Sequence, residues 1–382
     1  MFKIVNALSA FKGTFSAGYL THLIQEVLES KIASPIDILS IPIADGGDGT
    51  LDAILNYSQG ELVTCKIKDP LGRVIESTYG TIDSDNTAII EMAKASGMTL
   101  LKEEELNPFV ASSYGTGELI KHALGLGVKR IVLGVGGSAT VDGGSGMLQA
   151  LGVRFIDSVG EEVKEIPERL NDVAKIDTSG LLKELKDVEF HVLCDVENVL
   201  IGRSGGVAVY SPQKGAQKED LALLEERLVS FFSLLGFHSD LLKSRPYWGA
   251  AGGILPAVNY MSPRVQAFGG TAYIINMFNL EDELEAADVL ICGEGRIDKQ
   301  TYMGKAPYYV ASLARNFNLH VYGLCGQLAI SDRSSLYPFH EIFPLYNNDE
   351  DFRKEDKQEQ IARLKETAGQ LADQLIDQFF KP

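Results

Sequence analysis

Five times in this chain a short apolar run ends in a knot of glycine, carboxylate, hydroxyl or amide residues. Ile41-Pro42-Ile43 leads into Ala44-Asp45-Gly46-Gly47-Asp48-Gly49-Thr50, and Val132-Leu133 leads into Gly134 through Gly144. Val192-Leu193-Cys194 is followed by Asp195-Val196-Glu197-Asn198, and Leu324-Cys325 by Gly326-Gln327. After Val289-Leu290-Ile291-Cys292 come Gly293-Glu294-Gly295-Arg296-Ile297-Asp298-Lys299-Gln300-Thr301 and then Gly304-Lys305. Apolar runs of this length read as buried strands, and open parallel sheets bind ligands just beyond the carboxyl ends of their strands. One such ending is an ordinary turn or helix cap. Five in one chain point to α/β layering around a shared polar cleft.

Between these runs lie longer stretches of helical spacing, including Ser16–Lys31, Ser113–Leu126, Lys218–Leu235, Arg264–Phe278 and Gly304–Phe317. The clearest spans about Glu355–Phe380, where Ile361, Leu364, Ala368, Leu371, Leu375 and Phe379 form one apolar stripe. Further strands are expected over Phe2–Ala7, Ile36–Ile43, Ala88–Met92, Arg130–Val135, Phe190–Cys194 and His320–Leu324. Asp157–Gly180 is polar and irregular and reads as an exposed excursion. At 382 residues the chain suits two domains rather than one core.

Asp and Glu outnumber Lys and Arg by 52 to 35, for a net charge of −17. That excess opposes binding to nucleic acid or to an anionic membrane surface, both of which need basic protein surface. No apolar run reaches the roughly 18 residues that a membrane span requires. The N-terminal Met1-Phe2-Lys3-Ile4-Val5 reads as a first strand rather than a signal peptide. Cys65, Cys194, Cys292 and Cys325 stand alone in apolar runs, as buried thiols do in a reducing cytoplasm. The six histidines show no metal-ligand spacing.

None of the glycine loops has the Gly-x-x-x-x-Gly-Lys pattern of a Walker A motif, nor does a dinucleotide fingerprint follow the first strand. Backbone amides of Gly134–Gly144, with Gly136 and Gly137, can still cradle a phosphate, and Ser138, Thr140 and Asp142 add hydroxyls and a magnesium ligand. Asp45, with Gly46 and Gly47, comes directly off a strand, whereas Asp48 or Thr50 is better placed as a helix cap. Lys12, Lys214 and Lys305 each sit beside glycine and can balance phosphate charge. Arg296 offers a planar fork for a carboxylate or phosphate. Glu294, Asp298, Gln300 and Thr301 complete a loop richer in chemistry than turning the chain demands.

Taken in order, Phe11-Lys12-Gly13, Ala44–Thr50, Gly134–Gly144, Cys194-Asp195-Val196, Pro212-Gln213-Lys214-Gly215-Ala216, Gly249–Gly253 and Gly293–Lys305 closely resemble the motifs of the bacterial glycerate kinases. Those enzymes phosphorylate D-glycerate with ATP. The resemblance covers essentially the whole chain. It implies two α/β domains with the active-site cleft between them. One is a flavodoxin-like or Rossmann-like parallel sheet built from residues 1–66 and 284–382, and the other is inserted over 67–283. It implies ATP and Mg2+ as cofactors and a small hydroxy acid as substrate. The expected product is 2-phosphoglycerate rather than 3-phosphoglycerate, and the expected assembly is a monomer or homodimer.

Within that frame Asp195, Lys214 and Arg296 are the expected catalytic residues, with Asp195 the first choice to take the acceptor proton. Lys12, Asp45, Gly46, Gly47, Gly136, Gly137, Ser138, Thr140, Asn198, Glu294, Gln300, Thr301 and Lys305 are expected to bind substrate or nucleotide. Asp142 and Asp298 are expected to bind magnesium. The chain departs from the family where a first-motif carboxylate is replaced by Ser9, and again at Val141, Val199, Ser211 and Tyr309. These departures leave open a second reading, a paralogue that binds a small hydroxy or sugar acid with altered substrate choice or without catalysis.

Overall fold

The computed structural model describes residues 1–44, 46–47, 49–82, 86–303, 305–330, 336–346 and 355–381. Backbone contacts divide the chain into two units, Met1–Asp45 with Thr271–Pro382, and Gly46–Gly270. Strands β1 (Phe2–Leu8) and β2 (Ile36–Ser40) open the first unit. The second unit follows with β3 (Glu61–Lys68), β4 (Val74–Ile82), β5 (Thr87–Glu91), β6 (Arg130–Gly134), β7 (Arg154–Asp157), β8 (Val173–Asp177), β9 (Glu189–Leu193) and β10 (Val265–Phe268). The chain then returns to the first unit for β11 (Val289–Gly293), β12 (Arg296–Ile297), β13 (His320–Leu328) and β14 (Glu341–Tyr346).

The first unit is a six-stranded parallel sheet in the order β12-β13-β11-β1-β2, with β14 also paired to β13. Strand β1 is buried from Ile4 to Leu8 without a break. Burial on both faces is what an apolar run without alternation requires. The helix Ala17–Lys31 starts at Ser16, whose side chain accepts the Tyr19 amide, and turns Leu20, Leu23, Ile24 and Leu28 to the core. Against it packs the helix Lys357–Leu375, which buries Leu364, Ala368, Leu371 and Leu375 of the stripe visible in the sequence. Asp356 caps that helix by accepting the amides of Gln358 and Glu359. Each buried leucine contributes about 1.5–3 kcal/mol, so a polar residue at Leu371 would break this layer.

The second unit carries a six-stranded sheet in the order β10-β9-β6-β5-β4-β3, plus the two-stranded pair β7-β8. Strands β5, β6, β9 and β10 run parallel, while β3, β4 and β5 run antiparallel in sequence. The pairing of β3 with β4 is what joins residues 61–68 to this sheet. Two expectations are corrected here. Arg264–Phe278 is not one helix: Val265–Phe268 forms β10 on the edge of the sheet, and the helix begins only at Gly270. The adjoining Gly269-Gly270 pair breaks what apolar spacing alone had joined. The excursion over residues 157–180 is also not wholly irregular, because Val173–Asp177 pairs with β7. Among the described residues no helix is long and apolar enough to cross a membrane.

Candidate active site

In the first unit β1 lies between β2 and β11, so the winding of the sheet reverses where β1 and β11 end. That junction is where a doubly wound sheet opens to a ligand. Leu8 stands beside Gly293 across it, and the Ser9 amide donates to the Gly293 carbonyl at 2.9 Å. A Cβ on Gly293 would lie 1.7 Å from the Leu324 carbonyl oxygen, so only glycine lets the strands close here. The Ser9 hydroxyl is enclosed at the same junction without a hydrogen-bond partner among the described residues.

Directly beyond Gly293 stands Glu294, whose side chain is 16% exposed. Its Oε1 accepts the Thr301 hydroxyl at 2.7 Å, and its Oε2 lies 3.8 Å from Lys305 Nζ. The buried Thr301 also accepts the Asp298 amide through the same hydroxyl oxygen at 3.1 Å, and Asp298 Oδ1 accepts the Gln300 amide at 2.8 Å. The segment 298–301 is therefore a tight turn that fixes Glu294 from one side. Burial pushes the Glu294 carboxyl above its usual range, opposed by the Thr301 bond and by the charges of Lys305 and Lys12. Arg296 is 58% exposed and only loosely paired, its Nε 3.6 Å from Asp298 Oδ2. Its backbone is held by pairing of Arg296 with Gln327 in β13. Lys12, Glu294, Asp298, Thr301 and Lys305 are thus gathered at one strand junction, with Lys305 and Arg296 both exposed. Gln300 is exposed in the same turn.

The second unit uses its expected residues differently. Gly46 and Gly47 cross the ends of β6 and β9: the Gly136 amide donates to the Gly46 carbonyl at 3.4 Å, and a Cβ on Gly136 would stand 2.6 Å from Gly47 Cα. Gly137 and Ser138 are tied to the segment 96–98, through the Met98 amide on the Gly137 carbonyl and the Ala139 amide on the Ser96 carbonyl. Lys214 is 2% exposed, and its Nζ donates to Ser138 Oγ at 3.0 Å and to the Thr140 carbonyl at 2.8 Å. Burial depresses its pKa from 10.5 to about 7, with Asp142 pulling the other way.

Asp142 itself is fully buried. It accepts the Ser113 amide at 2.9 Å, the Ser113 hydroxyl at 2.6 Å, the Gly144 amide at 3.0 Å and the Gly146 amide at 3.2 Å. A carboxylate offers about four acceptor directions, and all are taken. The expectation of a magnesium ligand at Asp142 does not fit these surroundings; the residue ties its loop to the helix Ser145–Ala150. Asn198 is likewise committed, donating to the Ser204 carbonyl and accepting from the Tyr210 hydroxyl, both at 2.7 Å. Asp195 is exposed just past the end of β9, where its Oδ1 accepts the Gly270 amide at 2.6 Å. Asp45 lies outside the described residues, as do Asp48 and Gly304. Sequence reasoning passed over Glu91, buried at the end of β5. The sign was present, since it too is a carboxylate closing an apolar run.

Two α/β units, the first doubly wound with charged side chains gathered at its reversal point, define a protein of the kind that holds a small ligand at its strand ends. The chain belongs to the glycerate kinase family, whose model matches residues 4–376. It is 40% identical over 327 residues to the glycerate kinase of Haemophilus influenzae, covering 85% of this chain and 86% of that one. To the glycerate 2-kinase of Escherichia coli it is 37% identical over 329 residues, covering 85% of each. A crystal structure from Salmonella typhimurium LT2, assigned as glycerate kinase 2, superposes with a TM-score of 0.84 at 35% identity and covers 98% of both chains.

Proposed function

We propose that this chain transfers the terminal phosphoryl group of ATP to a hydroxyl of D-glycerate, and that the product is 2-phosphoglycerate rather than 3-phosphoglycerate. The observation that carries the reading is the Glu294 cluster at the winding reversal of a chain that belongs to the glycerate kinase family. The name of the Escherichia coli relative supports the 2-position. Phosphoryl transfer depends chiefly on positioning and on neutralising charge. Lys12 and Lys305 supply positive charge beside Glu294, and the exposed fork of Arg296 suits the acceptor carboxylate. A cytoplasmic setting suits the four free cysteines in this reading.

An acid must orient or take the acceptor proton. Asp195 already accepts the Gly270 amide through one oxygen. Glu294 is better disposed, because burial makes it more basic while the Thr301 hydroxyl fixes its direction. Magnesium binds through one or two carboxylates together with the substrate's phosphates. Asp142 cannot serve, and Asp298 has one oxygen on the Gln300 amide and the other facing Arg296. No group of three or more His, Cys, Asp or Glu side chains among the described residues is placed to hold a metal. The ion's contribution, shielding of the phosphates, is therefore assigned to the Mg-ATP complex and no step is drawn through a protein-held ion.

A coupled ADP-release assay with Mg-ATP and a panel of small hydroxy acids tests the reading, with phosphorus NMR of the product. ADP release that requires D-glycerate and yields the 2-phosphate is expected. The Ser9 hydroxyl, enclosed without a hydrogen-bond partner among the described residues where the family resemblance implies a carboxylate, favours one other reading. Tight glycerate binding by calorimetry with ADP release at background would establish that non-catalytic alternative.

A further inference from the structure

We infer that Glu91, at the carboxyl end of β5, is a positioning residue that holds the glycine loop before the helix Thr50–Ser58, an inference that rests on the kinase reading above. The first amides of any helix lack partners within it and must find acceptors elsewhere. Here the N-cap is Gly49, in the left-handed region at φ 93° and with no side chain to accept them. Thr50 turns its hydroxyl back to the Gly47 carbonyl at 2.8 Å, which tightens the loop but leaves the Leu51 amide uncapped. Glu91 supplies the missing acceptor from across the sheet, its Oε1 receiving the Leu51 amide at 2.8 Å in a buried setting. Its Oε2 lies 3.7 Å from Lys94 Nζ. A carboxylate at a helix N-terminus is also favoured by the helix dipole.

The consequence reaches beyond the helix. Gly46 and Gly47 are pressed against Gly134, Gly136 and Leu193, at the ends of β6 and β9. With Glu91 on β5, Gly46, Gly47 and Leu51 are held at the carboxyl ends of three successive parallel strands. The helix behind it lies close on β4, since a Cβ on Gly80 would meet Leu51 Cδ1 at 2.7 Å and Leu55 Cδ2 at 2.6 Å. Such a loop cannot shift along the strand ends while the Glu91 bond stands. Glu91 thus acts through the loop rather than by touching the reactants.

The test compares Glu91→Ala with Glu91→Gln, which keeps an acceptor oxygen without the charge. Two readouts are taken on the full-length protein, hydrogen exchange at the Leu51 amide and kcat for D-glycerate with Mg-ATP, with thermal melting as the folding control. Glu91→Ala should exchange faster at Leu51 by roughly 2- to 30-fold, the range of a lost helix cap. Its kcat should fall on the order of 10²-fold, the scale of a displaced active-site element. Glu91→Gln should stay near wild type in exchange and lose far less turnover. Unchanged Leu51 exchange in Glu91→Ala overturns the proposal. So does a Gln variant that protects Leu51 but is as slow as Ala, because the charge itself would then serve the chemistry. A wild-type chain inactive toward every hydroxy acid overturns the kinase reading instead, and exchange at Leu51 still decides whether Glu91 holds the loop.

Discussion

Glu294 in the first unit and Asp142 in the second are both carboxylates in glycine-rich loops that follow a parallel strand, yet their surroundings have little in common. Glu294 keeps one oxygen 3.8 Å from a lysine that is itself 43% exposed, while its other oxygen accepts the Thr301 hydroxyl. Asp142 is sealed in and accepts four short bonds, three of them from backbone amides. Lysines divide in the same way. Lys305 is exposed, whereas Lys214, expected to balance phosphate charge, is buried and bonded to Ser138 and Thr140. Loosely paired charge at a strand end is available to a ligand; charge saturated by its own backbone is part of the scaffold. Residue type and strand-end position are shared by both kinds, so the difference lies in how many donors the fold has already brought to each.

The comparison can be broken most forcefully at Asp142. Asp142→Asn removes charge and turns an NH2 group toward amide donors in a buried site, at a cost on the order of 3 kcal/mol. A clear fall in the urea unfolding midpoint is expected. An unchanged midpoint with lost turnover would move Asp142 back among the chemical groups.

Lys214 sharpens the contrast through pH. Its pKa is about 7 when folded against 10.5 for the free side chain, so between those values the unfolded chain binds more protons and stability rises with pH. Below about pH 7 both states are protonated and the penalty is full. Lys214→Met lacks this group. The melting temperature of wild type minus that of the variant should therefore climb as pH increases from about 7 toward 10, and a flat difference would contradict the buried setting of the amine.

Smaller effects are expected at Arg296. Its 3.6 Å pair with Asp298 is exposed, and such pairs contribute roughly 0–1 kcal/mol. Arg296→Lys should leave melting unchanged and raise the glycerate KM several-fold, because the planar fork is lost. A change in kcat alone, with KM preserved, would assign Arg296 to the transferring phosphoryl group instead.

How much of this was legible in the sequence follows from locality. The parallel strands β1, β5, β6 and β11 are largely buried on both faces and read as apolar runs. The Glu294 cluster was legible because Glu294, Arg296, Asp298, Thr301 and Lys305 lie in one contiguous loop. The hairpin β3-β4 was not, since Glu61–Lys68 exposes every second residue from Leu62 on, and its two lysines and one threonine resemble a surface loop. Asp142 was read as a ligand because two of its four bonds come from Ser113, 29 residues away. Glu91 was passed over for the same reason, its role being defined by Leu51, 40 residues earlier. Long-range donors reassign what local motifs suggest.

Steady-state kinetics of Glu294→Gln, read beside its melting curve, test the central claim most directly. The substitution keeps an oxygen for the Thr301 hydroxyl and removes the base and the charge facing Lys305. The account predicts a kcat for D-glycerate lowered by about 10²–10⁴ with the melting temperature unchanged. A kcat near that of the wild type, or a lost fold in place of lost turnover, would contradict it.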